Sequence, residues 1–209
     1  MSRLIAAALA AFVVVVFTAG GPAMAVEEPP HTVVEKEGAF EIRRYEPTVV
    51  AEVVEKGDRT AAANAGFRTL AGYIFGANAP KTKIAMTAPV TQTPGEKIAM
   101  TAPVTQTNAG EGWVIGFVMP KGSTLAAMPA PRDPSIKLRE VPGRTVAALR
   151  FSGFAPADTL AAKTETFAAQ VRARGYTLAG PVSYGFYDPP WTLPFMRRNE
   201  VMADVRKAD

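Results

Sequence analysis

A strand–strand–helix pattern occurs twice in the chain, about ninety-five positions apart, and this duplication limits the possible folds more than any other feature. Residues 137–139 repeat the pattern of residues 41–43, and a proline follows each segment. Apolar residues at spacings of three and four predict one helix over residues 59–75 and another over residues 157–174. Asp58 is placed to cap the first helix. Two such halves predict an α+β domain with approximate two-fold symmetry.

Extended segments surround these helices. In residues 40–45, apolar and charged side chains alternate, which is typical of a strand with one face exposed to water. A run of apolar residues predicts a buried strand over residues 113–119. Further strands are predicted over the segments 32–35, 48–55, 145–148 and 200–205.

A second and sharper repeat lies between the two halves. The eleven residues 83–93 recur unchanged as residues 97–107, separated by a Pro-Gly-Glu connector that is typical of a turn. We expect the two copies to form a hairpin in which Met86 lies opposite Val104. Each copy contains a proline, which indicates an edge, a bulge or a crossing between sheet segments.

The N-terminus has the pattern of a secretory signal peptide. Arg3 precedes a short apolar run, and an Ala-x-Ala site ends at Ala25. A membrane anchor is the alternative, but the apolar run is shorter than the ~20 residues that span a bilayer. We therefore expect removal of residues 1–25, a flexible lead-in at 26–31, and one domain over 32–209. Its location is then the periplasm or the cell exterior, without a stable membrane anchor.

Composition excludes several classes of function. The chain contains no cysteine, so thiol catalysis and disulfides are excluded. The formal charge of +4 is spread along the chain and forms no basic stripe, so nucleic-acid binding is not expected. The one histidine, His31, falls in the predicted lead-in, and no Ser-His-Asp set is predicted. We assign no catalytic residues; the identity of a metal ligand and the question of enzymatic activity stay open.

Three sequence blocks resemble those of one protein family. The repeated KIAMTAPVTQ, the strand WVIGFVMP and the terminal YDPPWTLPFMRRNEV are similar to the signature blocks of the SOUL heme-binding protein family. The resemblance extends from His31 to the end of the chain, although many members carry the first block once. It implies a distorted, mostly antiparallel, barrel-like sheet with two helices and two similar halves. It also implies non-covalent binding of heme or a related tetrapyrrole in an apolar cleft beside the first helix.

A porphyrin is a flat apolar disc with two carboxylates, so its site needs an apolar slot with cations at the mouth. The candidate slot residues are Tyr73, Met86, Met100, Trp191 and Phe195. The candidate cations are Lys83, Lys97, Arg197 and Arg198. Ordinary core packing is the alternative for the slot residues. For the arginine pair, the alternative is a structural clasp, with one arginine paired internally and Asn199 holding the proline-rich loop.

The expected function is carriage or buffering of a small tetrapyrrole by a monomeric protein. Two alternatives stay open. One is a heme-degrading enzyme that uses bound heme as its reactive centre. The other is a protein-interaction module that acts through the exposed proline–aromatic segment.

Overall fold

The computed structural model describes residues 28–79, 98, 102–110, 112–188 and 191–208. The predicted signal peptide lies outside these residues, as does the first copy of the eleven-residue repeat. The strands are β1 (His31–Glu37), β2 (Phe40–Tyr45), β3 (Thr48–Lys56), β4 (Asn78–Ala79), β5 (Val104–Asn108), β6 (Gly112–Val118), β7 (Ala130–Pro131), β8 (Lys137–Val141), β9 (Arg144–Phe151), β10 (Tyr176–Leu178), β11 (Ser183–Phe186) and β12 (Asn199–Lys207). The helices are α1 (Arg59–Ile74) and α2 (Ala157–Ala173), and a 3-10 turn covers Pro194–Met196.

Local sequence signals account for the start and the seating of α1. The Asp58 carboxylate accepts hydrogen bonds from the backbone N–H groups of Thr60 and Ala61, at 2.9 and 3.0 Å, which confirms the predicted cap. Gly66 lets the helix approach β6 closely, because a Cβ there would lie 2.6 Å from the side chain of Ile115.

Ten strands form one antiparallel sheet that curls into a half-barrel. Its order is β1-β2-β9-β12-β11-β5-β6-β3-β8. The short strand β10 pairs with the C-terminal end of β12. This order is symmetric about the β11–β5 pair, with β2 corresponding to β8, β3 to β9, β5 to β11 and β6 to β12. Each half therefore gives its first strand to the other half, since β2 pairs with β9 and β8 pairs with β3. The predicted α+β architecture with a barrel-like sheet is confirmed.

Each helix covers a core of its own on the convex face of the sheet. Beneath α1, buried side chains of β3 and β6 pack around Leu70 and Tyr73. Beneath α2, side chains of β2, β9 and β12 pack around Phe167 and Val171. Burial of these aliphatic and aromatic groups stabilises both halves.

The concave face of the half-barrel is open and forms a trough of about 460 Å³. Its apolar floor contains Val118, Val141, Val146 and Met202. Its two ion pairs join Arg139 to Glu52 and Arg144 to Asp204.

Two predictions differ from the structure. Val104 does not pair with Met86, because β6 and β11 occupy both edges of its strand, placing Phe117 and Phe186 opposite Val104. A β-strand has only two edges, so the expected hairpin is wrong at this position; Met86 itself lies outside the described residues. His31 belongs to β1 rather than to a lead-in, since it pairs with Tyr45 across the β1–β2 ladder.

Candidate functional site

One end of the convex face collects exposed apolar side chains. Phe186, Val104 and Phe117 are paired neighbours on three successive strands, so they mark the same end of the sheet. Asn199 of β12 lies opposite both Phe186 and Phe151, so the segments that follow β9 and precede β12 meet at this end.

The side chains that gather here are largely aromatic. The ring of Phe67, on the outer flank of α1, meets the buried ring of Phe117 edge-on, with centroids 5.4 Å apart. Phe154, Trp191 and Phe195 are mainly exposed in the segments after β9 and before β12. The name aromatic surface is used below for Phe67, Phe154, Phe186, Trp191 and Phe195. Large apolar side chains left exposed at one end of a sheet are typical of a site for a ligand or a partner.

Arg59 spans the gap between the two helix-covered halves beside the aromatic surface. Its guanidinium donates to the Gln106 side-chain oxygen at 3.0 Å and to the Ala155 carbonyl at 2.8 Å. It also lies 5.7 Å from the centroid of the Phe186 ring. Both acceptors are neutral. Burial lowers the pKa of Arg59 from its usual value, but the group stays charged at neutral pH. A half-buried cation hydrogen-bonded to neutral oxygens is suited to a ligand carboxylate.

Hydrogen bonds fix the segment that carries Trp191 and Phe195. The Gly153 N–H donates to the Pro194 carbonyl at 2.9 Å, and Arg197 Nε donates to the Thr192 carbonyl at 2.8 Å. The Arg197 guanidinium lies 5.0 Å from the centroid of the Phe154 ring. These contacts hold the segment against the loop that follows β9.

A buried ion network centred on Glu200 lies on the opposite face of the sheet. Arg43 donates two hydrogen bonds to the fully buried Glu200 carboxylate, at 2.7 and 2.8 Å. Arg198 contributes two more at 2.8 and 3.0 Å, and the Tyr187 hydroxyl donates a further bond at 2.7 Å. Burial alone raises the pKa of Glu200, but Arg43, Tyr187 and Arg198 outweigh it and hold this pKa at about 2. Burial and the nearby Glu200 charge raise the pKa of Tyr187, so the hydroxyl keeps its proton.

The candidate residues divide between these locations. Trp191 and Phe195 belong to the aromatic surface, and Arg197 lies beside it. Tyr73 is fully buried under α1, where its hydroxyl donates to the Pro129 carbonyl, so it lines no open surface in this structure. Arg198 is turned into the Glu200 network. Four candidates, Lys83, Met86, Lys97 and Met100, lie outside the described residues.

The clasp alternative for the arginine pair agrees with this geometry. Arg198 pairs internally with Glu200, and the Asn199 side chain donates to the Gly153 carbonyl at 3.0 Å. Asn199 therefore ties the last strand to the loop after β9, next to the proline-rich segment.

Sequence reasoning missed the cation that best suits a ligand. Arg59 stands at the first position of α1, where the helix dipole disfavours a positive charge. A cation in that unfavourable position is the signal that could have identified it. Phe154 and Phe186 gave no comparable signal, because only the sheet register brings them together.

In the part of the chain that the structure describes, no group of three or more His, Cys, Asp or Glu side chains is arranged to hold a metal ion. No described helix combines the length and the apolar content needed to cross a bilayer.

Comparison with known proteins gives matches of two kinds. The SOUL heme-binding protein family matches the chain over residues 26–204. Heme-binding protein 2 of Mus musculus is 40% identical over 77 residues, which cover 34% of this chain and 38% of that protein. Heme-binding protein 2 of Homo sapiens is 43% identical over 74 residues, covering 33% of this chain and 36% of that protein. The matched region is thus less than half of either relative.

Solved structures share the fold at low sequence identity. A hydrolase from Listeria innocua superimposes with a TM-score of 0.51 at 13% identity, over 83% of this chain and 94% of its own. EcmrR, in its complex with DNA, superimposes with a TM-score of 0.55 at 14% identity, over 81% of this chain and 57% of its own. At such identity the likeness extends to the fold alone.

Proposed function

Because the chain belongs to the SOUL heme-binding protein family, we propose that it binds heme or a related tetrapyrrole non-covalently at the aromatic surface. One observation carries this placement: the half-buried Arg59 guanidinium hydrogen-bonds to neutral oxygens beside a group of exposed aromatic rings. An apolar macrocycle with a carboxylate matches that pairing of charge and apolar surface.

In this proposal, the aromatic rings contact the macrocycle and the arginines bind its carboxylates. Phe67, Phe154 and Phe186 supply faces and edges for the macrocycle, while Trp191 and Phe195 form the outer rim. Arg59 holds one propionate with its guanidinium fork. Arg197, beside Phe154, is placed to attract the second propionate.

The concave trough is a poorer candidate, although it is an open cavity of about 460 Å³. Its arginines, Arg139 and Arg144, are already paired with Glu52 and Asp204. A propionate would have to compete with these carboxylates. Tyr45 is the one aromatic side chain among the residues that line the trough.

Binding at the aromatic surface does not use His31. This residue lies opposite Tyr45, which pairs with Arg144, whereas the aromatic surface adjoins Phe151 at the other end of β9. The two ends of β9 are seven residue steps apart, a distance of about 23 Å. Affinity therefore rests on apolar contact and on the arginines, which suits an exchangeable ligand that is carried or buffered.

Hemin titration followed by the Soret band tests this placement. Arg59→Gln should weaken binding at least about ten-fold, because a charge-assisted hydrogen bond contributes about 1.5–3 kcal/mol. Arg139→Gln, the matched control on the trough, should leave the affinity unchanged. The esterified hemin, which has no propionate charge, should bind the wild type and Arg59→Gln equally.

Three outcomes would contradict the proposal. The absence of a Soret shift at micromolar hemin would remove the function. If Arg139→Gln lost hemin affinity and Arg59→Gln did not, the binding site would be the trough instead of the aromatic surface. Iron-free protoporphyrin should bind about as well as hemin, and a large deficit would require an iron ligand that the proposal lacks.

Export is the second part of the proposed function. The signal-peptide pattern that ends at Ala25 supports it. Intact-mass measurement of the protein from the periplasm or the culture medium should give a chain that begins at Val26. Recovery of the full-length chain from the cytosol would contradict export.

A further inference from the structure

Residues 191–196 form a segment with an unusually apolar exterior. Trp191 is 82% exposed, Leu193 56%, Phe195 74% and Met196 63%. Exposure of large apolar groups costs about 25 cal/mol per Å² relative to burial. Four such side chains within six residues therefore mark a surface that meets an apolar medium. The segment is called the apolar tip below.

The backbone of the apolar tip keeps these side chains turned outward. The Met196 N–H donates to the Leu193 carbonyl at 2.9 Å, and the Arg197 N–H donates to the Pro194 carbonyl at 3.1 Å. The loop after β9 adds the bond from the Gly153 N–H to the Pro194 carbonyl. A segment fixed in this way does not fold its apolar groups onto the protein, and little conformational entropy is lost when they insert elsewhere.

Cations flank the apolar tip. Arg197 lies over the ring of Phe154 at 5.0 Å from its centroid, and Arg59 lies over Phe186 at 5.7 Å. On α2, Lys163 Nζ is 5.9 Å from the centroid of the Phe151 ring. Asp158 in the first turn of α2 and Asp188, whose carboxylate accepts from the Arg198 N–H at 2.6 Å, contribute opposing charges. Exposed apolar groups accompanied by an excess of cations match a bilayer surface that carries anionic headgroups.

We propose that the apolar tip inserts reversibly into the interface of an anionic lipid bilayer. A bilayer fits this surface better than a folded protein partner, because the apolar side chains are largely exposed and cations that attract anionic headgroups accompany them. Insertion brings Trp191 and Phe195, the rim of the aromatic surface, to the lipid. A tetrapyrrole then passes between bilayer and protein without crossing water; this last step rests on the proposed function.

Vesicle binding by the ligand-free full chain tests the inference. In a Trp113→Phe background, Trp191 is the one tryptophan, so its fluorescence reports on the apolar tip alone. Vesicles of phosphatidylcholine and phosphatidylglycerol should shift its emission to the blue, and brominated lipid should quench it. Leu193→Ser with Met196→Ser should weaken this partition at least about ten-fold. Leu178→Ser, an exposed leucine on β10, is the matched control and should have no effect.

The result separates this inference from the proposed function, because no tetrapyrrole is present. Trp191 emission that is unchanged and unquenched by vesicles would overturn the inference, even if hemin still binds. An equal loss with Leu178→Ser would also overturn it, since the binding would then be nonspecific. Quenching of Trp191 in a protein that fails to bind hemin would support insertion. It would contradict only the transfer of a tetrapyrrole between bilayer and protein.

Discussion

Arg43 and Arg139 occupy corresponding positions in the two halves, yet their surroundings differ sharply. Arg43 of β2 lies opposite Val146 of β9, and Arg139 of β8 lies opposite Val50 of β3. The side chain of Arg43 is 4% exposed and shares two hydrogen bonds with Glu200. The side chain of Arg139 is 52% exposed and pairs with Glu52 at the rim of the trough.

The neighbours of β2 and β8 in the sheet account for this difference. β2 is enclosed by β1 on one side and by β9 on the other, whereas β8 forms an edge of the sheet. Val114 holds the position in β6 that Glu200 holds in β12, because Val114 lies opposite Val54 and Glu200 lies opposite Arg150, each four residues beyond the valine that faces the arginine. Arg139 therefore has no buried acid to meet. Arginines at corresponding positions are therefore buried in an ion pair in one half and exposed to solvent in the other.

The largest effect should come from truncating the two arginines. Arg43→Met should lower the free energy of unfolding by about 3–5 kcal/mol, because it leaves the buried Glu200 carboxylate without its main partner. Arg139→Met should cost less than about 1 kcal/mol, as is typical of exposed ion pairs. Urea unfolding of both variants measures the difference, and equal losses would break the contrast between the halves.

Acid should remove the stability that the buried Glu200 carboxylate contributes, and this loss should be smaller than that caused by truncating Arg43. The pKa of Glu200 is about 2 in the folded protein, against 4.5 for the unperturbed group. A lowered pKa contributes stability that is complete above about pH 4.5 and is lost as the pH falls toward 2. The loss amounts to about 3 kcal/mol.

Urea midpoints between pH 6 and pH 2 test this acid dependence. Glu200→Gln should be less stable at pH 6 and should lack this part of the acid dependence. Glu52→Gln, the control variant on the exposed pair, should keep the part of the acid dependence that Glu200 contributes. If the urea midpoint of Glu200→Gln fell with pH as much as that of the wild type, other carboxylates would account for the acid dependence.

The smallest effect should come from the outer contact of the network. Glu28 accepts a hydrogen bond from Arg198 at 2.6 Å, and its side chain is 38% exposed. Glu28→Gln should cost at most about 1 kcal/mol in low salt, and this cost should shrink in 0.5 M salt because surface charges are screened. A cost that is independent of salt would place Glu28 within the buried network.

Local sequence patterns were sufficient to predict most of the fold. The alternation in β2, the cap at Asp58 and the apolar face of α2 depend on neighbouring residues, so their elements fall close to the predicted bounds. The pairing of Val104 could not be predicted, because its partners Phe117 and Phe186 are set by the whole sheet. Repetition of a sequence does not determine which strands become neighbours.

The candidate site was less predictable than the fold. Trp191 and Phe195 were identified from their composition and lie on the surface that the proposal uses. Tyr73 looked equally suitable, but its position on the inner face of α1 buries it. Glu200 was recognised as part of a sequence block, yet its network needs Arg43, 157 positions away in the chain. Contacts of that range depend on tertiary structure and leave no local pattern.

The exchange of first strands between the halves has a consequence for how the chain holds together. A chain that ended after β6 would contain β2 with no β9 to pair with, and β3 with one edge bare. Two copies of such a chain could complete each other only by associating, to an extent that depends on their concentration. Here the covalent connection between the halves makes that encounter intramolecular, so integrity of the sheet should not vary on dilution.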